Sequence, residues 1–429
     1  MPRTSPSHTK KLKWFLYRYF ERWSISAATA YRRCVTGPVA VAVTGSCGKT
    51  TAVNLIGAIL ARRGNGLVSD GRMTPYPQFA FRVLAMRPWH RHFVQEISGH
   101  TQYSVITRTR MMRPKIGVVT NVGLDHYSTH RGRDGVAEAK VNIVEPLPED
   151  GVAVLNADDS YVMAMAGRTR ARVITFGVAG DADVRGSGIA AAWPDRLSLT
   201  LSYGGESRHV QTQLLGEHWV TSVLAAAAAA LAAGATLDDC VAGLAATEPT
   251  PGRMCPHELP GGAVIIDDSV KAPHWTMPTA IQFMESARAR RKTLVVGTIS
   301  DYPGTGSSKY RGVARAALSV ADEVCFTGRN SRAVRKIAAG EGKGRLFILD
   351  GAKDLAEHLS GRLERGDLVV IKASDVDHLE RAILQQTIGI ACWREKCGRE
   401  NQCMDCDLRL VPSAPPRGNG VRLDAEITE

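Results

Sequence analysis

Short, uniformly apolar runs recur along the chain between segments of helical character. They are rich in β-branched residues and apolar on both faces, which is typical of strands buried in a parallel sheet. Parallel strands need crossover helices, so the alternation predicts an α/β fold. The predicted strands are Val39–Val43, Ile116–Thr120, Val152–Leu155, Val264–Ile266, Thr293–Val296, Val324–Phe326 and Leu368–Ile371.

Residues 172–213 follow a different pattern. Apolar and polar positions alternate from Leu197 to Tyr203 and then meet Gly204 and Gly205. Alternation with a period of two, followed by turn residues, predicts an antiparallel hairpin.

A helix and a domain boundary are expected after this hairpin. The alanine-rich segment Trp219–Ala233 has high helix propensity, and Gly234 stands where a C-terminal cap is expected. The stretch Pro249-Thr250-Pro251-Gly252 interrupts regular structure, so the best boundary between domains lies there.

Composition places the chain among ordinary globular proteins. Its 429 residues are 44% hydrophobic and 22% charged, a mixture that excludes a disordered tail, a collagen or a disulfide-stapled mini-protein. No apolar run reaches the roughly 18 residues of a transmembrane helix, and we find no secretory signal. Nine scattered cysteines without an export signal indicate a reducing compartment, so we expect a cytoplasmic protein.

Much of the positive charge lies near the N-terminus. The formal net charge is +12, and residues 1–36 contribute +7 of it, from eight Lys and Arg residues and one glutamate. Residues 10–24 fit an amphipathic helix with Lys11, Arg18 and Arg22 on its polar side. The opposite side carries Leu12, Leu16, Tyr19, Phe20 and Trp23.

This helix has two interpretations. In the simpler one, it packs its aromatic face on the body of the protein. In the other, it docks on an anionic membrane surface or on a partner protein, and the chain is then associated with the membrane surface. Basic residues alone are the weakest signal for nucleic-acid binding, which we do not expect.

The strongest local signal is a candidate phosphate loop, residues 44–51. It follows a predicted strand and precedes a predicted helix (Ala52–Arg62), the context that such a loop requires. N–H groups at the helix N-terminus supply positive potential for a polyphosphate. Lys49 can reach the terminal phosphates, and the Thr50 hydroxyl can ligate Mg²⁺. The candidate ATP-binding residues are Gly45, Ser46, Cys47, Gly48, Lys49, Thr50 and Thr51.

The loop departs from the general G-x-x-x-x-G-K pattern, because Val43 stands where the first glycine is expected. Its sequence, T-G-S-C-G-K-T-T, resembles instead the T-G-[ST]-[NSC]-G-K-T-T loop of the Mur ligase family. That family includes the muramyl-peptide ligases, folylpolyglutamate synthase and the ligase half of cyanophycin synthetase. The resemblance continues in order from about residue 39 to about residue 380 and implies an ATP-dependent carboxylate–amine ligase.

The resemblance also implies two Mg²⁺ sites. Gln95-Glu96-Ile97-Ser98 is similar to the family's E-x-S segment, whose glutamate helps to hold the first Mg²⁺ beside Thr50. The segment T-N-V-G-L-D-H at 120–126 resembles the N-[VI]-x-x-D-H motif, whose histidine, here His126, ligates the second. Lys140 matches a family lysine that is often carbamylated and then serves as an anionic ligand of the second metal.

Further motifs imply contacts with the nucleotide. Asn121, in the same N-[VI]-x-x-D-H motif, is expected at the nucleotide. Pro251-Gly252-Arg253 matches the family's P-G-R, whose arginine meets the γ-phosphate, and Asp268 lies in a D-D-S segment whose aspartate contacts the ribose. Residues 156–159 also match the family, but Asn and Asp there can equally cap a helix. The implied catalytic residues are Lys49, His126, Lys140 and Arg253.

Several positions depart from the family pattern. Trp219 stands where G-x-H-N has its asparagine, and Pro273 lies in a segment that replaces N-A-N-P, so the adenine contacts stay open. Only about 40 residues precede the first strand, too few for a uridine-nucleotide-binding domain. We therefore expect no UDP-muramyl substrate held in the usual way, and the layout resembles that of folylpolyglutamate synthase.

The expected architecture is a P-loop central ATPase domain with a mainly parallel sheet and a small antiparallel sub-sheet, followed by a Rossmann-like domain. The predicted divisions are a basic amphipathic extension (1–36), the central ATP-binding domain (37–250), the C-terminal domain (251–390), and a cysteine-rich segment with a flexible tail (391–429).

The implied reaction is amide formation through an acyl phosphate, with release of ADP and phosphate, from a small-molecule or peptide carboxylate and an amine or amino acid. Two alternatives remain open: a P-loop small-molecule kinase, and a non-catalytic ATP-binding regulatory subunit. A kinase needs neither Lys140 nor Arg253 in this order, and it releases a phosphorylated product instead of an amide.

The C-terminal segment suggests a further metal site. Four of the nine cysteines form C-x4-C-x5-C-x2-C within a short span, a set that can hold a structural Zn²⁺. The alternatives are an iron–sulfur cluster and four unligated thiols. The candidate ligands are Cys392, Cys397, Cys403 and Cys406.

Overall fold

The computed structural model describes residues 8–69, 75–98, 101–125, 127–130, 132–394, 397 and 402–411. They divide into two compact units. The first contains the chain up to Thr250 together with residues 273–288 and 301–304, and the second contains the rest. The chain thus returns to the first unit twice after Pro251. The flexible tail predicted from Pro412 lies outside the described residues.

The first unit is built on a nine-stranded sheet in the order β2-β3-β1-β4-β5-β6-β7-β8-β9. Neighbouring strands are parallel from β2 through β7, and β8 and β9 complete the sheet as an antiparallel edge. This confirms the mainly parallel sheet with an antiparallel sub-sheet. The strands are β1 (Val39–Thr44), β2 (Gly66–Val68), β3 (His92–Glu96), β4 (Ile116–Val119), β5 (Val152–Asn156), β6 (Arg172–Gly177), β7 (Val184–Ala190), β8 (Ser198–Tyr203) and β9 (Glu206–Gln211).

The predicted hairpin is confirmed by β8 and β9, which pair antiparallel through a turn at Gly204 and Gly205. Both glycines adopt positive φ (59° and 84°), as a two-residue hairpin turn requires. The start of the 172–213 region differs from the expectation, since β6 pairs parallel with β5. The end of β6 is buried, which agrees with a place inside the parallel sheet.

Ten α-helices belong to the described part of the first unit. Within the described residues of the whole chain, no helix combines the length and apolar character needed to cross a membrane. The helices are α1 (His8–Cys34), α2 (Lys49–Ala61), α3 (Tyr76–Leu84), α4 (Gln102–Met112), α5 (Tyr127–His130), α6 (Arg133–Lys140), α7 (Ser160–Met163), α8 (Val220–Ala232), α9 (Leu237–Ala246) and α10 (Met277–Ser286).

The alanine-rich helix α8 lies in the centre of the first unit. Most of its residues are buried, and it packs against α2 and against β4 to β7. A helix that is apolar on all sides is expected to be buried, and alanine side chains permit close approach. It starts one residue later than predicted, because Trp219 ends a 3-10 turn, Glu217–Trp219.

The amphipathic helix expected at residues 10–24 is part of α1, and its aromatic face is not packed on the body of the protein. Leu16, Tyr19, Phe20 and Trp23 are each between 42% and 70% exposed, and the side chain of Leu12 lies outside the described part of the structure. The simpler interpretation of this helix is therefore wrong. Further along α1, Ser24 and Ala28 are buried, and Arg32 Nε donates to the carbonyl of Met112 in α4 (2.8 Å), so this part of the helix makes the anchoring contacts.

The second unit has a six-stranded sheet in the order β10-β11-β15-β12-β13-β14. β10 is antiparallel to β11, and the other neighbours are parallel, in agreement with a Rossmann-like domain. The strands are β10 (Cys255–Glu258), β11 (Val264–Asp268), β12 (Lys292–Val296), β13 (Glu323–Phe326), β14 (Leu346–Ile348) and β15 (Leu368–Lys372). The helices are α11 (Gly306–Leu318), α12 (Arg335–Ala339), α13 (Ala352–Leu359) and α14 (Glu380–Thr387).

Short 3-10 helices complete the described structure. Besides the turn before α8, they are Val141–Ile143, Ala164–Arg168, His274–Thr276, Ser331–Val334, Asp375–Asp377 and Cys403–Asp405.

Candidate active site

The predicted phosphate loop connects β1 to α2 and runs very close to its neighbours. Gly45 and Gly48 adopt positive φ (153° and 76°). A Cβ at Gly45 would lie 1.8 Å from Thr120 Oγ1, and one at Gly48 would lie 2.4 Å from Ser222 Oγ. Both positions therefore require glycine, for backbone conformation and for space.

The segment after β4 braces this loop. Asn121 Oδ1 accepts hydrogen bonds from the backbone N–H groups of Ser46 (3.1 Å) and Cys47 (2.9 Å). Thr120 Oγ1 donates to the carbonyl of Cys47 (2.7 Å). Asn121, which the family resemblance placed at the nucleotide, thus contacts the loop itself and acts on its conformation.

Lys49, Thr50 and Glu96 meet at the start of α2. Lys49 Nζ donates to the carbonyl of Gly45 (2.8 Å), so the ammonium group lies over the loop. Thr50 Oγ1 donates to Glu96 Oε2 (2.7 Å), because β3 ends at Glu96 beside β1. A hydroxyl and a carboxylate are oxygen ligands of the kind that Mg²⁺ prefers, so this pair fits the first predicted metal site.

Lys140, the last residue of α6, forms a buried ion pair with Asp125. Lys140 Nζ lies 3.1 Å from Asp125 Oδ2, and the two side chains are only 9% and 11% exposed. Asp125 Oδ1 also accepts a hydrogen bond from the hydroxyl of Ser46. The carboxylate of Asp125 therefore connects the phosphate loop to Lys140.

Burial and charge shift both members of this pair. Burial lowers the pKa of Lys140 to about 8, although the negative charge of Asp125 opposes the change. Burial alone would raise the pKa of Asp125, but the positive charges of Lys140 and Lys49 outweigh this effect and hold the pKa at about 2. The lowered pKa favours the neutral amine of Lys140 relative to an ordinary lysine, and the neutral amine is the form that reacts with CO₂.

The 120–125 segment is itself held by the end of β5. Asn156 Nδ2 donates to the carbonyl of Thr120 (2.8 Å), and Asp159 Oδ2 accepts from the N–H of Val122 (2.8 Å). Asp159 Oδ1 accepts from Tyr161 N (3.0 Å), which confirms it as the N-cap of α7. These bonds hold the 120–125 segment in position against the end of β5.

A cavity of about 220 Å³ opens in the first unit near the phosphate loop. Thr221, at the start of α8, lines it, and the next residue, Ser222, donates from Oγ to the carbonyl of Gly48 (3.3 Å). His218 also lines it and lies against the Trp219 ring (4.7 Å between centroids). Trp219 is buried, so it acts in packing at the position where the family has asparagine.

Two predicted site residues belong to the second unit. Asp268 ends β11, and its Oδ2 accepts a hydrogen bond from Lys372 Nζ (2.7 Å). Gly252, just before Arg253, accepts a hydrogen bond at its carbonyl from Val270 N (3.3 Å). Arg253 and Asp268 therefore lie at the same end of the sheet of this unit, where strands β11 and β15 finish.

The predicted site residues of the first unit converge, with one outside the described residues. The phosphate loop, Asn121, Glu96 and Lys140 come together, whereas His126 lies in a gap of the described structure. Asp125 was missed as a site residue. Its position directly before His126 in the matched motif was the available signal.

Comparison with known proteins agrees with this geometry. The model of the Mur ligase middle domain matches residues 43–230. The UDP-N-acetylmuramoyl-tripeptide–D-alanyl-D-alanine ligase of Escherichia coli K12 is 30% identical over 306 residues, covering 71% of this chain and 67% of the relative. The enzyme of the same name from Mycobacterium tuberculosis H37Rv is 28% identical over 374 residues, covering 82% and 73%.

Solved structures show the same fold. MurF from Acinetobacter baumannii superimposes with a TM-score of 0.76 at 23% identity, covering 85% of this chain and 80% of that one. MurF from Thermotoga maritima, solved in complex with ADP, gives a TM-score of 0.74 at 20% identity and covers 85% and 82%.

The fold and the site define an ATP-dependent ligase that forms a C–N bond between a carboxylate and an amine. The chain belongs to the Mur ligase family. Both the family and the ligase class expected from the sequence are confirmed, and they are favoured over a kinase and over a non-catalytic subunit.

Proposed function

We propose that this ligase activates a peptide-like carboxylate with ATP and transfers it to the amine of an amino acid or short peptide, at the site around the phosphate loop. The observation that carries the proposal is the convergence of Lys49, the Thr50–Glu96 pair and the Asp125–Lys140 pair on this loop. Such a site offers positive charge, metal ligands and a modifiable lysine in one place.

In this proposal, the triphosphate of ATP lies along the loop with its terminal phosphates at Lys49. N–H groups at the start of α2 point to the same place, and the helix dipole favours negative charge there. The nucleoside occupies the cavity at His218 and Thr221, because the start of α8 borders both the cavity and Gly48.

The residues present fit Mg²⁺, which would neutralise phosphate charge and polarise the reacting oxygens. Thr50 and Glu96 would hold one ion. Lys140 as a carbamate, together with His126, would hold a second. Carbamylation removes the positive charge of Lys140 and breaks its ion pair with Asp125, so Asp125 would then remain bonded to Ser46.

The chemistry overcomes the poor reactivity of a carboxylate, whose leaving group would be oxide. A carboxylate oxygen attacks the γ-phosphorus, ADP leaves, and an acyl phosphate forms. The amine nitrogen then adds to the acyl carbon, phosphate departs, and the nitrogen gives up its proton to yield the amide. Lys49 compensates the charge that develops on the transferred phosphoryl group, and Arg253 is proposed to meet the same group.

The names of the relatives suggest the class of substrate. The two enzymes compared above are described as adding D-alanyl-D-alanine to a UDP-N-acetylmuramoyl-tripeptide. We therefore propose a peptide carboxylate as the acid, and a dipeptide such as D-alanyl-D-alanine as the first amine to test.

Phosphate release over a matrix of carboxylates and amines tests this function. With ATP and Mg²⁺, we expect release only when both an acid and an amine are present, and mass spectrometry should show a product equal to their sum minus water. Omitting the amine is the control, because an acyl phosphate cannot then turn over productively. ATP-dependent phosphate release that never yields an amide would contradict the proposal.

The exposed half of α1 supports a location at an anionic membrane surface. Phe20 contacts Trp23 and Phe81 of α3 (6.1 Å between ring centroids in each case), so the exposed aromatic residues continue onto a second helix. Tyr31 Oη donates to the carbonyl of Met86 (2.6 Å) and Arg32 Nε to that of Met112 (2.8 Å), which fix the other half of α1 to the unit.

The positive charge of this segment favours an anionic membrane as the binding partner of the exposed aromatic surface. Residues 1–36 carry a net +7, and Arg18 and Arg22 are exposed beside the aromatic residues. Aromatic rings with basic neighbours on a helix suit the headgroup region, where each Lys or Arg contributes about 1 kcal/mol with anionic lipids.

Vesicle co-sedimentation tests membrane docking. We expect the protein to bind vesicles containing phosphatidylglycerol, and not vesicles of phosphatidylcholine alone, with binding that weakens as salt rises. Arg18→Glu with Arg22→Glu should weaken binding at least about tenfold, and Leu16→Ser with Tyr19→Ser should weaken it similarly. Arg170→Glu and Trp89→Ser, exposed elsewhere, are the matched controls. Equal binding to neutral vesicles, or no binding, would argue against this location.

A further inference from the structure

The four cysteines of the C-terminal segment line one small cavity in the second unit. Cys392, Cys403 and Cys406 are buried, and Cys397 is half-buried. All four are free thiols. We propose that this cavity is a structural Zn²⁺ site with these four cysteines as ligands, separate from the ATP site.

The local backbone is arranged as such a site requires. Cys403 and Cys406 bracket a 3-10 turn, and the N–H of Cys406 donates to the carbonyl of Cys403 (3.2 Å). This C-x2-C turn directs two sulfurs to one side, as in zinc sites with the same spacing. The N–H groups of Ala391 and Cys392 donate to the carbonyl of Arg409 (2.9 and 3.2 Å), which brings Cys392 beside the turn.

Cationic side chains surround the cavity. Arg381, Arg394 and Arg409 line it with the cysteines, and Arg381 Nε donates to Cys403 Sγ (3.1 Å). Four thiolates around Zn²⁺ carry two net negative charges, which cationic side chains offset. An N–H group that donates to a ligating sulfur is the usual outer contact of a metal site.

The segment also needs a cross-link. In its described part, residues 388–394, 397 and 402–411, the regular structure is a single 3-10 turn. Its hydrogen bonds with α14 include those of Arg381 with Cys403 Sγ, of Glu380 Oε1 with Cys403 N (3.0 Å) and of Gln385 Oε1 with Ile390 N (3.1 Å). A bound metal ion supplies the folding free energy that a segment without its own core lacks.

The four sulfurs must draw together to bind zinc. A tetrahedral site with Zn–S bonds of about 2.3 Å places the sulfurs about 3.8 Å apart. Among the described residues, no three of these sulfurs lie within 4.8 Å of one another. Cys403 Sγ does lie 3.7 Å from His378 Nδ1, so a mixed site of His378, Glu380 and Cys403 is the competing arrangement.

A second cluster of metal-ligand types, Glu323, Cys325 and His358, is not a metal site of this kind. Both Arg291 and Arg362 form ion pairs with Glu323, and His358 Nε2 lies 2.7 Å from its other oxygen. The carboxylate is therefore already neutralised by cationic partners, which disfavours a further cation.

Metal analysis of the full chain, purified without chelators or added metal, tests the proposal. We expect about one zinc ion per chain by mass spectrometry, with zinc falling at least tenfold in Cys392→Ser, Cys397→Ser, Cys403→Ser and Cys406→Ser. Cys34→Ser, an exposed cysteine on α1, is the matched control and should keep its zinc. His378→Ala should also keep it.

If the cysteine variants fail to fold, titration of the wild-type protein with a mercurial thiol reagent provides an independent test. Zinc should be released in step with modification of about four thiols, and chelation should lower the melting temperature. Absence of zinc, a visible iron–sulfur absorbance, or zinc that is lost in His378→Ala but kept in Cys392→Ser would each overturn the four-cysteine site. None of these measurements depends on ligase activity, so the zinc-site proposal and the proposed function can be contradicted independently of each other.

Discussion

Lys49→Ala is expected to reduce ATP-dependent amide formation by about 100- to 1,000-fold, the cost of removing one preorganised group that stabilises transition-state charge. Its Nζ lies over the phosphate loop, where the terminal phosphates of ATP are proposed to bind. Initial rates of phosphate release and of amide formation at saturating substrate should fall together, because both follow the same phosphoryl transfer.

The fold should survive this change. Lys49 Nζ donates only to loop carbonyls in the described structure, at 2.8 and 3.4 Å, so the loss of stability should be about 1 kcal/mol. ATP with Mg²⁺ should raise the melting temperature of the wild-type protein but raise that of Lys49→Ala much less. Lys353→Ala, an exposed lysine of the second unit, is the matched control. Retention of more than about a tenth of wild-type activity would remove Lys49 from its proposed role.

The sequence predicted the fold well where local signals agree with packing. Buried strands are recognisable in the sequence as short runs that are rich in β-branched residues and apolar on both faces. β1, β4 and β5 all lie where they were expected. The phosphate loop was predictable because only glycine fits at two of its positions. A side chain at Gly45 or Gly48 would collide with neighbouring residues.

Contacts between distant segments were not predictable in the same way. The pairing of Asp125 with Lys140 depends on the end of α6 reaching the loop that follows β4, and no local sequence pattern predicts such a contact. Family motifs named Lys140 but not its partner. The bracing of the loop by Asn121 is similar, because a motif identifies a residue without telling whether it contacts the ligand or the loop.

Which face of α1 is exposed could not be predicted from the sequence, for a different reason. An amphipathic pattern predicts that a helix has an apolar face but not that the rest of the protein covers it. Here Ser24 and Ala28 of α1 are buried, whereas the aromatic residues between Phe15 and Trp23 remain exposed. Sequence alone cannot decide which of two apolar surfaces a neighbouring helix covers.

The carbamate proposed at Lys140 has a signature in pH and CO₂. Burial lowers the pKa of this lysine to about 8, so the neutral amine that reacts with CO₂ increases as pH rises through 8. Activity should therefore rise over this range and should increase when bicarbonate is added. If Lys140 instead acts as an ammonium ion paired with Asp125, activity should fall over the same range. ¹³C NMR with labelled bicarbonate reads the carbamate directly, without relying on turnover.

Lys140→Ala should lose about 100- to 1,000-fold in activity, and a small carboxylate such as acetate should restore part of it by supplying the missing oxygen ligand. The rescued variant should no longer respond to bicarbonate. Because this change leaves the buried Asp125 unpaired, which can cost several kcal/mol, Lys140→Ala with Asp125→Asn separates stability from chemistry. Glu138→Ala, exposed on the same helix, controls for effects on α6. Wild-type activity in Lys140→Ala, or no carbamate resonance in the native protein, would show that this lysine serves only as the partner of Asp125.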